Sequence, residues 1–198
     1  MADTGSLDAF LAQYREQGEK PAELRETLRR ILKPLDPERP LEGGCTAAQH
    51  AFITDKHRRL ALIAPRRTGK TSGFLRRFAR GGLSGRNRSY RYLALSRPHA
   101  EELLWSPLKE FAEEYKIRGR FYEADLTFVF GDTGSRLQLL GADDRKEVDK
   151  NRGAKHHGIG VDEAGHFPRK LLTYALDEVL IWTLSDYRGW LALGGTPG

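Results

Sequence analysis

A chain of 198 residues, 39% hydrophobic and 30% charged, is long enough to bury a sizeable core and has the composition of an ordinary soluble domain, which excludes fibrous and disordered classes. Its formal charge of +6 favours an anionic partner, and no apolar run approaches the roughly 20 residues of a membrane span. The single cysteine, Cys45, excludes an internal disulfide and a cysteine-based zinc site; with no basic and apolar leader at the N-terminus, the expectation is a cytoplasmic protein.

Ser6 is placed to cap a helix with Leu7, Phe10, Leu11 and Tyr14 at helical spacing. Gly18 ends it, and Pro21 opens a second amphipathic stripe of Leu24, Leu28, Ile31 and Leu32. Pro34, Pro37, Pro40 and Gly43-Gly44 then break regular structure. Residues 1–44 therefore read as a helical arm and linker, expected to pack on the main domain, and 45–198 as that domain. Within it, Thr46 with Gln49 three residues on fits a capping box opening a short helix that includes Phe52 and Ile53.

The apolar run Leu60-Ala61-Leu62-Ile63 reads as a buried strand. It leads into Ala64-Pro65-Arg66-Arg67-Thr68-Gly69-Lys70-Thr71, then Ser72-Gly73-Phe74-Leu75-Arg76-Arg77-Phe78 as a helix. Strand, tight loop, Gly-Lys-Thr and helix is the context in which a P-loop pattern carries a mechanism. Loop amides and the helix N-terminus favour phosphate; Lys70 is expected to reach the β- and γ-phosphates and the Thr71 hydroxyl to ligate Mg²⁺. Pro65, Arg66, Arg67, Thr68, Gly69, Lys70, Thr71 and Ser72 are thus the expected ATP-binding loop. Ala64 stands where the first glycine of the pattern belongs, so the loop is a deviant form.

Arg76, Arg77 and Arg80, followed by Arg86, Arg88 and Arg91, read either as a surface for a phosphate backbone or as a solvated basic face. Tyr92-Leu93-Ala94-Leu95 is the next strand, and a helix with Leu104, Leu108, Phe111 and Tyr115 on one face follows. Residues 126–130 and 136–140 form two strands joined by Gly131-Asp132-Thr133-Gly134, a hairpin signal. The polar stretch 141–153 reads as an exposed loop or short solvated helix.

Gly158-Ile159-Gly160-Val161 is a short strand ending in two adjacent carboxylates. Asp162 at its tip is placed to hold Mg²⁺, and Glu163 to polarise the attacking water, a general-base role worth roughly 10²–10⁴-fold. His156, His157 and His166 flank the pair without zinc spacing and read as structural or exposed. A helix over 168–182 precedes the last strand, Trp190-Leu191-Ala192-Leu193. Thr196, at that strand's tip, is the candidate contact to the γ-phosphate or water.

These residues resemble the ATPase domain of the large terminase subunit, the DNA-packaging motor of tailed bacteriophages, over about residues 46–198. Arg66-Arg67-Thr68-Gly69-Lys70-Thr71 is similar to that family's deviant P-loop, with Arg66 at its arginine. Gly160-Val161-Asp162-Glu163-Ala164 resembles its carboxylate motif, and Gly194-Gly195-Thr196-Pro197 its coupling motif. Gln49 matches loosely the family's adenine-reading glutamine, a role compatible with the capping box. The resemblance implies that Arg66 senses the γ-phosphate and that an arginine upstream of the carboxylates, Arg152 rather than Arg145, acts in trans on a neighbour's ATP. It also implies a ring of five subunits gripping double-stranded DNA on the portal protein of a procapsid in the host cytoplasm, with a small terminase subunit as partner. The family continues into a nuclease domain; ending at Gly198, the chain is expected to lack nuclease activity.

The expected architecture is α/β, an ASCE-type P-loop NTPase with a mainly parallel central sheet flanked by helices, plus the N-terminal helical arm. The leading functional reading is an ATP-hydrolysing DNA translocase with catalytic Glu163, Lys70, Arg66 and Arg152. A helicase-like DNA-stimulated ATPase and a nucleotide-binding assembly module with negligible turnover are the alternatives.

Overall fold

The structure is a computed structural model and describes residues 26, 28–30 and 44–196. Helix α1 (Ala47–Thr54) starts at the predicted capping box: the Gln49 amide N–H donates to Thr46 Oγ1 and the Thr46 amide N–H to Gln49 Oε1. Strand β1 (Arg59–Ile63) and helix α2 (Lys70–Ser84) flank the P-loop as expected, but β1 is not the buried strand read from its apolar run: it lies at the sheet's edge, with alternate residues exposed and Ile63 69% exposed. Beyond them come β2 (Ser89–Ala94), α3 (Arg97–Ala100), a wide π-helical turn (Glu101–Trp105) and α4 (Ser106–Glu114). Three short strands follow: β3 (Gly119–Tyr122), β4 (Thr127–Phe130) and β5 (Arg136–Gly141). Helix α5 (Arg145–Asp149) precedes β6 (Gly158–Val161). Then α6 (Arg169–Tyr174), a π-helical turn (Ala175–Leu180) and α7 (Ile181–Thr183) lead to β7 (Trp190–Gly195).

The strands form one seven-stranded sheet in the order β1-β7-β6-β2-β5-β4-β3. The first five in that order are parallel neighbours, and β4 and β3 extend the sheet antiparallel. The mainly parallel α/β architecture read from the sequence is therefore correct. Strand β3 is an addition to that reading, and the 126–140 hairpin is its scaffold. Because β1, β7, β6 and β2 run the same way, their C-terminal ends gather the P-loop, Thr196, Asp162 and the entry to α3 along one edge.

Helices cover both faces of the sheet. One face packs Phe74, Phe78, Leu83, Leu104 and Leu108 of the helices on Tyr90, Tyr92 and Leu139; the other packs Phe167, Leu171, Val179 and Leu180 on Ile159 and Val161. Phe74 lies edge-on to Phe52 and Tyr92 with centroids 5.3 and 6.1 Å away. The ring is admitted by two glycines: a Cβ on Gly160 would stand 2.7 Å, and one on Gly194 2.8 Å, from its atoms. Leu28, from the second predicted stripe, is fully buried in the first of these cores, and the Arg30 guanidinium lies over the Tyr115 ring, so this part of the arm packs on the main domain as expected. The first stripe, Leu24, Ile31 and Leu32 of the second, and residues 34–43 of the linker lie outside the described residues.

The basic cluster needs correction. Helix α2 runs on through Gly81-Gly82 to Ser84, and Arg76 and Arg77 are buried, each 6% exposed, so neither belongs to a solvated face. Arg76 donates to the Tyr115 hydroxyl at 2.8 Å, and Arg77 donates to the Phe52 and Asp55 carbonyls at the end of α1. Such carbonyls have no partner within their own helix, and a guanidinium suits them. Among the described residues, no helix is long and apolar enough to cross a membrane.

Candidate active site

Parallel strands built from apolar residues deliver polar side chains at their ends, where loops are free of the sheet's ladder. After Ile63 the chain leaves β1 and turns through Arg67 and Gly69, both left-handed with φ of 62° and 80°. Glycine at 69 is required twice over, by its φ and because a Cβ there would collide with Gln49 Nε2. That Nε2 donates to the Gly69 carbonyl at 2.8 Å and ties α1 to the loop. The Gln49 side chain keeps one N–H and one lone pair beyond these bonds.

Lys70 and Thr71 open α2. The Lys70 ammonium donates to the Ala64 carbonyl at 2.9 Å, the Pro65 carbonyl at 3.1 Å and Thr196 Oγ1 at 3.0 Å. All three donors are spent on neutral oxygens, and among the described residues no carboxylate pairs with this cation. Its charge is therefore available to an anion. Thr68 Oγ1 donates to the Pro65 carbonyl at 2.7 Å and braces the loop, while Ser72 accepts from Arg76. Arg66 and Arg67 are exposed.

Asp162 sits at the tip of β6 and is 2% exposed. Its Oδ1 accepts from the Glu163 amide at 2.9 Å and its Oδ2 from the Tyr92 hydroxyl at 3.0 Å. Burial raises its pKa, against which these two hydrogen bonds act. A Cβ on Gly194 of the neighbouring strand would stand 2.6 Å from Oδ1, so the carboxylate occupies room that only glycine leaves. Glu163 is left-handed, with φ of 50°. In an extended strand successive side chains alternate between faces; this kink ends the alternation and turns Glu163 into the open cavity while Asp162 stays behind it. Glu163 Oε2 is 2.8 Å from His166 Nδ1.

That cavity, of about 750 Å³, is lined by the P-loop residues Arg66, Arg67, Gly69, Lys70 and Thr71, by Glu163 and His166, and by Leu95, His99 and Leu103 from the β2–α4 connection. The structure thus brings Arg66, Arg67, Gly69, Lys70, Thr71 and Glu163 to one space, with Asp162 and Thr196 beside it. Arg152 is elsewhere. Its Nε pairs with Asp149 at 2.7 Å and its guanidinium donates to the Tyr174 hydroxyl at 2.9 Å, with Arg145 over the same ring at 4.4 Å. Arg152 remains exposed at the end of the polar stretch 141–153.

Sequence reading misses four lining residues. His166 lacks zinc spacing, yet its i,i+3 spacing from Glu163 is a usable signal. Leu95, His99 and Leu103 are brought in by β2 and the wide helical turn, and no local pattern marks them.

The donor set fits Mg²⁺. The Thr71 hydroxyl and the Asp162 carboxylate are hard oxygens, and each carboxylate oxygen keeps a lone pair beyond its single hydrogen bond. Two protein ligands are few, as is usual for Mg²⁺ held together with phosphates. No group of three or more His, Cys, Asp or Glu side chains suited to a metal occurs among the described residues.

Comparison with known proteins agrees with this architecture. The fold matches the large terminase of a thermophilic bacteriophage with a TM-score of 0.64 at 17% identity, over 76% of this chain and 39% of that one. That terminase has also been solved with ADP and with ATP-gamma-S. The large terminase ATPase domain of Thermus phage P74-26 matches with a TM-score of 0.63 at 19% identity, over 80% of this chain and 67% of that one. The HK97 bacteriophage large terminase matches with a TM-score of 0.61 at 12% identity, over 87% of this chain and 37% of that one. The chain therefore spans well under half the length of the first and last of these proteins, and shares the P-loop NTPase fold of this part of them. No protein-family model and no curated protein matches it in sequence.

Proposed function

We propose that this chain is the ATP-hydrolysing domain of a viral DNA-packaging motor, with double-stranded DNA as its track. The observation that carries the reading is the convergence on one cavity of Lys70, Thr71 and Glu163, with Asp162 buried behind. These come from two strand ends far apart in the chain, on the fold that large terminases share.

Lys70 binds the β- and γ-phosphates, exchanging the Ala64, Pro65 and Thr196 oxygens for phosphate oxygens. Thr71 and Asp162 would hold Mg²⁺, which would supply neutralisation of phosphate charge. Glu163, steadied by His166, orients the attacking water and accepts its proton at a carboxylate oxygen. Arg66, which lines the cavity, approaches the γ-phosphate. Thr196, released when Lys70 turns to phosphate, signals to β7 whether the site is filled. Gln49 has the hydrogen-bonding capacity left to read an adenine edge.

Arg152 acts on a neighbouring subunit's site in a ring of five; its surface position away from its own cavity supports that role. An arginine of this kind is worth roughly 10³–10⁵ in rate. The portal protein of a procapsid and a small terminase subunit are the proposed further partners, in the host cytoplasm.

The test is MgATP turnover over a range of protein concentrations, with and without duplex DNA, and with Glu163→Gln as the inactive control. Turnover per subunit that rises with concentration and falls in Arg152→Ala supports the ring motor. Concentration-independent turnover removes the role of Arg152. Nucleotide binding with no turnover leaves a binding module.

A further inference from the structure

A second cavity, of about 560 Å³, lies at the opposite end of the same parallel strands. Its lining residues Arg58, Arg88 and Tyr90, His157, and Gly189 and Trp190 precede or open β1, β2, β6 and β7, whereas the P-loop and the carboxylates follow them. Among the described residues, the cations Lys56, Arg58, Arg77, Arg80, Arg88 and Arg188 and the carboxylate Asp55 line it. That carboxylate is already engaged, accepting from the His57 amide at 2.7 Å and lying 2.7 Å from its Nδ1.

Arg77 and Arg80 both bond to main-chain carbonyls of the segment at α1. Arg77 donates to the Phe52 and Asp55 carbonyls, and Arg80 to the Ile53 carbonyl at 2.9 Å. For Arg77 the carbonyls satisfy donors without cancelling the charge. Arg77 is 6% exposed, and its Nε–H has no acceptor among the described residues. Burial and the neighbouring Arg80 push its pKa down to about 10, the direction expected of a cation held where positive charge is in excess. Burial and Arg88 likewise lower His157 to about 4, so its ring is neutral near pH 7.

Aromatic surface is interleaved with this charge. The His157 ring stacks on Tyr187 with centroids 4.0 Å apart and planes at 17°. Tyr187 is 49% exposed, leaving a ring face for a second flat group. The Arg77 guanidinium lies 4.5 Å from the Trp190 centroid. Lys56, Arg58 and Arg188 are exposed and form the rim. Exposed cations beside an open aromatic face are the combination that holds single-stranded nucleic acid, phosphates on the cations and a base on the ring. A volume in the range of small-ligand sites admits a nucleotide unit and excludes a duplex.

We infer that this cavity binds a nucleotide unit of single-stranded nucleic acid, its phosphates held by Lys56, Arg58 and Arg188 at the rim with Arg77 behind them, and its base stacked on Tyr187. The site is separate from the P-loop cavity and does not depend on ATP hydrolysis there.

The experiment is fluorescence anisotropy of a labelled oligothymidylate with the full chain, with a duplex of equal length, thymidine monophosphate and inorganic phosphate as competitors. Tyr187→Ala and Lys56→Glu/Arg188→Glu alter exposed side chains, and their thermal melts are compared with the parent chain's. Loss of one base stack weakens oligonucleotide binding roughly 5- to 150-fold in Tyr187→Ala. The double charge reversal weakens it further and flattens the slope of log K against log salt by at least about 1.4, from roughly 0.7 per phosphate contact. Saturating MgATP leaves binding unchanged. Unaltered binding in both variants overturns the site, and displacement by MgATP overturns its separateness from the P-loop. Equal competition by inorganic phosphate makes it a free-anion site, and equal, Tyr187-dependent binding of duplex overturns the single-strand assignment. Turnover plays no part in the readout, so a chain that proved inactive as an ATPase would still decide this inference.

Discussion

The Tyr92 hydroxyl donates to Asp162 Oδ2 at 3.0 Å, from one buried side chain to another on adjacent parallel strands. Burial and the neighbouring carboxylates raise the Tyr92 pKa well above its ordinary value, so it remains a donor at any working pH. The bond holds the carboxylate in one orientation.

Tyr92→Phe removes that donor and little volume. The expected result is a rise of roughly 10- to 100-fold in the Mg²⁺ concentration needed for half-maximal turnover, as for other residues that orient metal ligands. The loss of stability is only about 1 kcal/mol. Mg²⁺ titration of turnover beside a urea melt checks both, and an unchanged Mg²⁺ requirement removes Tyr92 from the site's support.

Gly194→Ala places a methyl group 2.6 Å from Asp162 Oδ1. Oversized groups in packed interiors cost typically about 1–3 kcal/mol, and here the part that yields is the carboxylate. Turnover is expected to fall at least about tenfold while Gly195→Ala, whose Cβ meets nothing within 4 Å, leaves it within about twofold. Steady-state kinetics of the pair separates a local clash from a general effect on the strand.

Glu163→Gln keeps the shape of the side chain and removes its basicity, so ATP binding persists while turnover drops roughly 10²–10⁴-fold. Glu163→Gly removes a left-handed non-glycine residue as well as the base. Its thermal midpoint is expected to match or exceed the parent's despite inactivity. A clear loss of stability in Glu163→Gly shows that the conformation is not strained.

Acid should destabilise the fold through His156. Its Nε2 accepts from Arg91 at 3.3 Å and its Nδ1 lies 2.9 Å from Ser89 Oγ, and burial beside Arg91 lowers its pKa to about 3. Between that value and about 6.5 the unfolded chain binds a proton that the folded one refuses, so stability rises with pH across this window and falls on acidification. The loss is up to about 1.4 kcal/mol per pH unit below 6.5. Urea melts at pH 7 and pH 5 measure it, and His156→Asn flattens the dependence if this residue carries it.

The site's main parts are legible in the sequence because each is local. An apolar run before Gly-Lys-Thr, and another before Asp-Glu, identify strand ends without tertiary information, and the sheet then brings the two ends together. Gln49 is legible as a cap, but its bond to the Gly69 carbonyl arises from the way α1 packs beside the loop. The arginines of α2 mislead because their partners, carbonyls of α1 and the Tyr115 hydroxyl, lie distant in sequence. Gly81-Gly82 has the look of a helix end; the helix continues because the rings of Tyr90 and Phe130 occupy the space their side chains would fill. The strand β3 is short and mostly exposed, and its pattern carries no apolar alternation.

Phe74 lies one turn after Lys70 on the same helix, and its ring rests where side chains at 160 and 194 would otherwise stand. The depth to which α2 sinks toward the sheet and the height of its first turn above the strand tips are therefore a single adjustable quantity. A methyl group added far from any ligand, at Gly160, lifts the helix and the lysine together. In a screen for activity such a core variant would be indistinguishable from a lesion at the phosphate loop, and only a structure of the variant would tell the two apart.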